Sequence, residues 1–477
     1  MRQAVCLPLL LAGMAAGAGA ARAQNPSSAD NPFWGSVTAQ TATAEPLQLS
    51  LDDAVVRGLR NNLGLKEAES GEKALHGEKY EALQEFLPTI WLTGDTGYYM
   101  HNLAALGFGS SAMAKIASSY PGGKMPAGFS TITRDDLTDG QIHYSQILFS
   151  GPVIQAWKAS GAAERSAYFS KMSARGEVVQ QVATAYLRAI ADESQVQNAK
   201  ALVVQAQVLF DHQKSEHQAG TAANLDELRA HVQLDAQQQM LLAAQNRQAK
   251  DLILLQREIG VDPGQQIALT DPSPYGDLAE QTPEEMRAMA YRNRQDYQNL
   301  QNQLIEYKAV HSVYRSERLP TLSFNSYYGT STVNGAGTRG NWAAVGTLNV
   351  PLFREARLRG DEDASKAQLD SINAQLDDLR NHIDEQVRAA LLDVNANKQL
   401  VDVARSNVDL ATRALSDETD RVAAGVDDNL PLVTAQATLA TAESSLVESL
   451  YQYNVSKLLL ARTAGVLELQ YRAYLGH

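Results

Sequence analysis

The chain has a single cysteine in 477 residues, Cys6, and it falls inside a segment that reads as an export signal. Arg2 supplies the positive start, Ala4 to Ala20 is a nearly unbroken apolar run, and Ala21-Arg22-Ala23 forms an A-x-A cleavage site. Residues 1–23 are expected to be removed, so that the mature chain starts near Gln24. That chain has no thiol, which excludes disulfides, a cysteine-ligated metal and a cysteine lipid anchor. Beyond the signal no run of 18 apolar residues occurs, so no membrane-spanning helix is predicted. An exported chain of this kind is soluble, or it inserts as a β-barrel, whose alternating strands leave a weak hydropathy trace. Positive charge is also scarce. The formal net charge of −13 becomes −15 once the two signal arginines are gone. That excess argues against nucleic acid and disfavours an anionic membrane surface as the main partner.

The marks of an enzyme are missing as well. There is no H-E-x-x-H arrangement, no nucleophile elbow and no phosphate loop. Asp52-Asp53 and Asp377-Asp378 are adjacent in predicted helices, so their carboxylates point apart and cannot act as an acid/base pair. Gly335-Ala336-Gly337-Thr338-Arg339-Gly340 spells G-x-G-x-x-G, but a dinucleotide site needs a strand before it and a helix after it. Here a strand follows, and the string reads as a hairpin loop. His212, His217 and His231 lie near one another in sequence without the spacing of a metal set. No catalytic residue, metal or cofactor is predicted.

What is present is repetition. Glu177 to Val261 aligns without a gap on His382 to Val466, 205 positions on, with 21 of 85 positions identical. Ala219-Gly220 falls on Ala424-Gly425, Asn224-Leu225 on Asn429-Leu430, and Gly260-Val261 on Gly465-Val466. Each copy reads as two long helices joined at a glycine. A duplication of this size sets the architecture before any local motif does.

The repeat extends further toward the N-terminus at a shift of 232. Ser50 caps a helix, with Asp53 three positions on; its counterpart is Thr282-Pro283-Glu284-Glu285, a capping box with proline in the first helical position. Leu87-Pro88-Thr89 matches Leu319-Pro320-Thr321, where proline is expected to end each helix. Period-two alternation follows. Ile90 and Leu92 share a face, as do Leu322, Phe324 and Tyr328; Thr89, Thr93 and Asp95 face the other way, like Thr321, Ser323 and Asn325. Return strands are predicted through Ile142, Tyr144 and Leu148, and through Val345 to Phe353 with Leu348, Val350 and Leu352 on one face. Each half thus carries a β-hairpin, about 88–150 and about 320–353. The first loop, about Met100 to Gly140, is 28 residues longer than the second, about Ser331 to Asn341.

After each hairpin the chain turns helical. Val182, Ala185, Ala189, Asp192, Val196, Ala199, Val203 and Ala206 form a heptad seam of mostly small residues. Ala435, Leu439, Ala442, Leu446, Leu450 and Tyr453 mark a return helix. From Gly151 to about His217 a helix would span roughly 100 Å. The organisation read from the chain is an irregular lead-in at 24–50, a first repeat at 51–261, a linker at 262–281, a second repeat at 282–466 and a tail at 467–477.

These features resemble the outer-membrane efflux protein family, the TolC-like export ducts. The resemblance rests on the doubled order of helix, Leu-Pro-Thr, hairpin and long helical pair, on Pro351-Leu352-Phe353, on Arg421-x-x-x-Gly425 and on Leu458-Leu459-Leu460 before Gly465. It covers almost the whole mature sequence. It implies a mainly α protein with membrane β: long coiled-coil helices forming an α-barrel, and four strands per chain entering at Pro88 and Pro320. A homotrimer would close a twelve-stranded β-barrel in the outer membrane of a Gram-negative-type bacterium, apolar faces to lipid and polar faces to water. The partners implied are a periplasmic adaptor and an inner-membrane pump, with the chain as a passive duct for efflux or type I secretion. Gly220, Arg421 and Gly425 would mark the periplasmic tip that meets the adaptor. The family's best-known pattern places constriction aspartates six and nine residues past the second-half glycine. Here those positions hold Pro431 and Thr434, and their first-half equivalents are Asp226 and Arg229. Asp226, Arg229, Asp427 and Asp428 are therefore the candidates for an entrance gate. The alternative is a periplasmic coiled-coil adaptor or structural protein without a pore; an adaptor should carry one helical hairpin rather than two.

Overall fold

A computed structural model describes residues 31–37, 41–106, 110–123, 132–220, 223–272, 274–334, 337–424 and 429–476. The chain divides into two compact units that do not coincide with the two sequence repeats. One comprises Met1–Glu67, Glu177–Gly276 and Asn397–Val455; the other comprises Ala68–Gly176, Asp277–Ala396 and Ser456–His477. Each unit therefore draws on both repeats. The longest helices, α4 (Gly151–Gln218) and α8 (Glu355–Ala423), contribute to both. No helix among the described residues is long and apolar enough to cross a membrane.

In the first unit the lead-in is not wholly irregular. Strand β1 (Leu47–Leu49) pairs in parallel with β4 (Ile267–Leu269), which lies in the segment expected to be a plain linker. Strand β1 leads directly into helix α1 (Leu51–Asn61), whose N-cap Ser50 accepts from Asp53 N as its sequence predicts. The core beneath is the stretch of α4 in which Val178, Val179, Val182, Ala183, Tyr186 and Ala189 have no solvent exposure. Tyr186 Oη reaches Leu49 O at 2.9 Å and Asp271 Oδ2 at 3.0 Å, tying the strand pair to the helix. Helices α5 (Asn224–Ile259) and α9 (Asn429–Thr463) run back from the turns that end α4 and α8.

The second unit contains the larger sheet. Strands β2 (Thr89–Asn102), β3 (Ile132–Phe149), β5 (Thr321–Val333) and β6 (Thr338–Asn349) form an antiparallel meander in the order β2-β3-β5-β6. Among the described residues nothing pairs with the outer edges of β2 and β6. The first hairpin is longer than its pattern suggested: β2 and β3 stay in register out to Asn102 opposite Ile132. The span between the two strands is accordingly 103–131, and among its described residues Ser110–Ala117 form helix α3. The second return strand ends at Asn349, not at Phe353. Pro351 has no N–H to give to a ladder, so Val350 and Leu352 lie beyond the strand. A register shift between Ile147 and Phe149 likewise removes Leu148 from the regular alternation. The G-x-G-x-x-G string caps the β5–β6 hairpin: Asn334 (φ 48°) and Gly337 (φ 96°) turn left-handed, Arg339 and Gly340 are already in β6, and Gly335 and Ala336 lie outside the described residues.

Two helices expected to be continuous are each broken once. Helix α1 ends at Asn61 and α2 (Leu63–Gln84) resumes after an extended Asn62; α6 (Pro283–Asn293) and α7 (Gln295–Ser316) are separated by an extended Arg294. The physical reason is a glycine at each break. Gly260 (φ +73°) lies so close to Asn61 and Val37 that an added Cβ would stand 2.6 Å from Asn61 Cβ. Gly465 (φ +74°) would place one 2.6 Å from Arg294 N and from the Asn293 carbonyl carbon. Each left-handed glycine ends a returning helix and seats it in the break. The prolines act differently from expectation. Helices α2 and α7 stop at Gln84 and Ser316, four residues ahead of Pro88 and Pro320, because a residue before proline avoids the helical region and the final turn tightens before it. The segment read as a tail, 467–477, holds helix α10 (Leu467–Leu475), anchored by a bidentate Arg175–Glu468 pair at 2.6–3.2 Å.

Candidate functional site

The turn after α4 lies in the first unit. Gly220 (φ +77°) adopts the left-handed conformation that ends the helix, and its N–H donates to His217 O at 3.0 Å. Among the described residues nothing lies within 4 Å of the Cβ it lacks, so the positive φ is what calls for glycine here. Helix α5 then starts without a side-chain cap, because Ala223 occupies the N-cap position. Asp226 and Glu227 in its first turn offset the exposed N–H groups and the helix dipole. His217 Nδ1 meets the Glu227 carboxylate across the turn. Arg229 Nη1 lies 3.5 Å from Asp226 Oδ1, so these two gate candidates form a surface ion pair.

Behind the turn, Leu209, Ala230 and Leu432 pack with Phe210, Leu415, Val422 and Val433. The helices of both repeats thus share one apolar plug near the tips. On the free side, Leu225, Leu228 and Val232 occupy one face of α5 at 54%, 52% and 69% exposure. They border a groove of about 360 Å³ that also takes in Asp226, Arg229 and Val433. Of the second turn, Arg421 is described and lies 3.9 Å from Glu418. Gly425, Asp427 and Asp428 lie outside the described residues.

Higher in the first unit, Asp192 breaks the small-residue seam of α4. It is 1% exposed, and burial pushes its carboxyl up to about 7, helped by hydrogen bonding to Asp251 and opposed by Arg188. Arg188 stands 3.5 Å from Asp192 and 3.0 Å from Glu448. Cross-helix charge pairing therefore takes the place of an apolar contact there.

Pro88 and Pro320, in the second unit, stand immediately before β2 and β5. The strand registers then place residues in rows across the sheet. Leu92, Ile142, Tyr328 and Trp342 are successive register partners, and all four are more than half exposed. The opposite face carries the rows Thr93, Gln141, Gly329, Asn341 and Asp95, Asp139, Ser331, Arg339. One side of the sheet is an apolar band and the other is hydrophilic, the division a membrane barrel wall requires. Between the polar rows and the helices lies an aromatic row, Trp91, His143 and Tyr327. Their shared face is readable from parity once the registers are known. The His217–Glu227 contact and the apolar face at 225–232 were not singled out in the sequence, since each depends on how the chain folds back at Gly220. Among the described residues no group of three or more His, Cys, Asp or Glu side chains could hold a metal ion.

The family profile for outer membrane efflux proteins matches residues 55–261 and 287–466. The toluene efflux pump outer membrane protein TtgF of Pseudomonas putida is 23% identical over 441 residues, covering 87% of this chain and 82% of that protein. Nodulation protein T of Rhizobium leguminosarum bv. trifolii is 22% identical over 336 residues, 67% of this chain and 69% of its own length. Among solved structures, the Campylobacter jejuni CmeC outer membrane channel superposes with a TM-score of 0.71 at 14% identity, covering 94% of each chain.

Proposed function

The chain belongs to the outer membrane efflux protein family, and we propose that three copies of it close a single twelve-stranded β-barrel whose helical continuation is the periplasmic tunnel of an efflux duct. The protein is an outer-membrane efflux channel. The observation that supports oligomerisation is the open four-stranded sheet with one apolar face, and the number three is what the family resemblance implies. Lipid tolerates no unpaired strand edge, and four strands cannot close on themselves. Pairing β6 of one copy with β2 of the next satisfies both edges. Three copies give twelve strands, and the β6–β2 pairing keeps the order antiparallel throughout.

Energy would come from an inner-membrane pump, coupled through a periplasmic adaptor. The tip is where such an adaptor docks: the exposed Leu225, Leu228 and Val232 and the turn at Gly220 support this, and Arg421 and Gly425 are the candidates that the sequence names in the second half. Repeated three times around an axis, Asp226, Arg229, Asp427 and Asp428 would line the entrance as charged rings that favour or hold back ions.

Fractionation tests the reading. Recovery from outer membranes as a heat-sensitive oligomer of three chains is the expected result. Recovery from the soluble periplasm without detergent would overturn it.

A further inference from the structure

We infer that the hydrophilic side of the sheet carries a binding row for elongated organic cations that contain a fused planar ring. The row rests on the reading above, in which this face lines water inside the barrel. Trp91, His143 and Tyr327 are successive register partners on β2, β3 and β5. Trp91 and His143 stack with centroids 5.0 Å apart and planes within 9°; His143 and Tyr327 follow at 5.8 Å and 44°. Thr93 Oγ1 lies 2.9 Å from His143 Nε2 and holds the imidazole between its neighbours.

The placement is unusual for this face. Apart from Val345, the described members of the neighbouring rows are Thr, Gln, Gly, Asn, Ser, Asp and Arg, yet Trp91 remains 43% exposed. Next to Tyr327 on β6 is Ala343. That small residue leaves a place one strand spacing wide, roughly 4.8 Å, with no ring in it. A planar group entering there continues the stack, and a cationic one gains from the ring faces as well.

The charge complement lies on the same face. Asp95 and Asp139 are direct register partners, so two carboxylates oppose each other across β2 and β3. Like charges in that position weaken a sheet unless a cation offsets them. Asp139 Oδ1 is shielded from solvent and has no hydrogen-bond partner among the described residues. The distance from Trp91 to Asp95 is four residues along an extended strand, roughly 13 Å. A ring system at the aromatic row with an ammonium on a flexible tail spans that distance. A compact metal cation engages only the acids, and a neutral planar solute only the rings.

Quinacrine, a fused-ring dye with a protonated alkylamine tail, is a suitable probe. Its fluorescence is titrated with the purified full-length oligomer in detergent, comparing wild type with W91L, W91F, Y327L and the double variant D95N/D139N. Expected are a loss of about tenfold in affinity for W91L and Y327L, little change for W91F, and a weaker salt dependence for D95N/D139N. Each variant must keep the heat-sensitive oligomer, which W91F does if the site needs only an aromatic ring. Unchanged affinity in W91L, or unchanged affinity and salt dependence in D95N/D139N, overturns the proposal. A separate measurement tests the premise. In vesicles containing brominated lipid, Trp342 fluorescence should be quenched and Trp91 fluorescence spared, read as differences between W91F and W342F. Quenching of Trp91 would overturn the assignment of the sheet faces, independently of the binding result.

Discussion

Two joints in this molecule have the same geometry and opposite chemistry. At each, a left-handed glycine ends a returning helix and sits in a one-residue break, Gly260 at Asn61-Asn62 and Gly465 at Asn293-Arg294. A glutamine from the following long helix stands beside each, Gln181 and Gln386, equivalent in the repeat. At the first joint the glutamine donates: Gln181 Nε2 reaches Glu258 Oε1 at 3.1 Å. At the second it accepts: Arg294 Nη1 donates to Gln386 Oε1 at 2.6 Å. Glu258 has Thr463 as its counterpart, and Asn62 has Arg294. The duplication thus conserves the backbone fit while the charged partner of the glutamine changes sign. An amide tolerates this because it can donate or accept as required.

The largest effect should come from breaking the shared geometry. Gly260→Ala and Gly465→Ala each add a Cβ that would stand 2.6 Å from neighbouring atoms, at a positive φ. Each should cost more than about 3 kcal/mol, combining left-handed strain with overpacking. The measurement is the yield of heat-sensitive oligomer in the outer membrane, with near-complete loss expected for both. Survival of one would show that its break is not held by the glycine.

Next comes the chemistry of the first joint. Glu258 is 3% exposed, and burial raises its carboxyl to about 7, opposed by the hydrogen bond from Gln181. A raised acid binds more protons in the folded than in the unfolded state, so its contribution to stability falls as pH rises from about 4.5 to about 7. Glu258→Gln should therefore stabilise at pH 8 by up to about 3 kcal/mol and change little at pH 4. Thermal unfolding of the two proteins at the two pH values measures the difference; a gain independent of pH would contradict the burial argument.

A smaller and opposite dependence belongs to the second joint. Burial raises the Asp296 carboxyl, but the bidentate Arg294 pair at 2.6–3.0 Å outweighs it and holds the group below its ordinary value. That contribution is present at neutral pH and fades as the carboxylate is protonated in acid. Arg294→Met should cost about 1–3 kcal/mol at pH 7, and less below pH 4. The two joints should respond to acidification in opposite directions, and parallel responses would undo the comparison.

The smallest effect is expected at the tip. Gly220 shares the positive φ of the joints, but no described residue lies within 4 Å of the Cβ it lacks. Gly220→Ala should cost only about 1–2 kcal/mol. Subtracting this from the joint variants isolates the steric share of their loss. Export with an intact oligomer but an impaired phenotype would assign a docking role to the turn itself.

Much of this organisation can be read from individual residues. Gly220, Gly260 and Gly465 are conspicuous because they recur at a fixed spacing next to helical patterns, and left-handed helix ends favour glycine. Ser50 and Thr282 announce their helices through capping chemistry that spans only three residues. The strand faces follow from period two, which is also local. The helix breaks at Asn62 and Arg294 were not visible, because nothing in those residues forbids a helix; the break exists where a distant glycine seats. The parallel pairing of β1 with β4 escaped for the same reason, since it joins residues some 220 positions apart.

The sequence by itself determined that this chain is built twice, that its hairpins have one apolar and one hydrophilic face, and that each long helix turns back at a glycine. These depend on periodicity and on backbone preferences within a few residues. Only the tertiary structure decided that the compact units cut across the repeats, that equivalent glutamines take opposite hydrogen-bonding roles, and that Trp91, His143 and Tyr327 meet in one row. Those outcomes depend on which distant residues share a volume, and strand register and helix seating set that once the chain has folded.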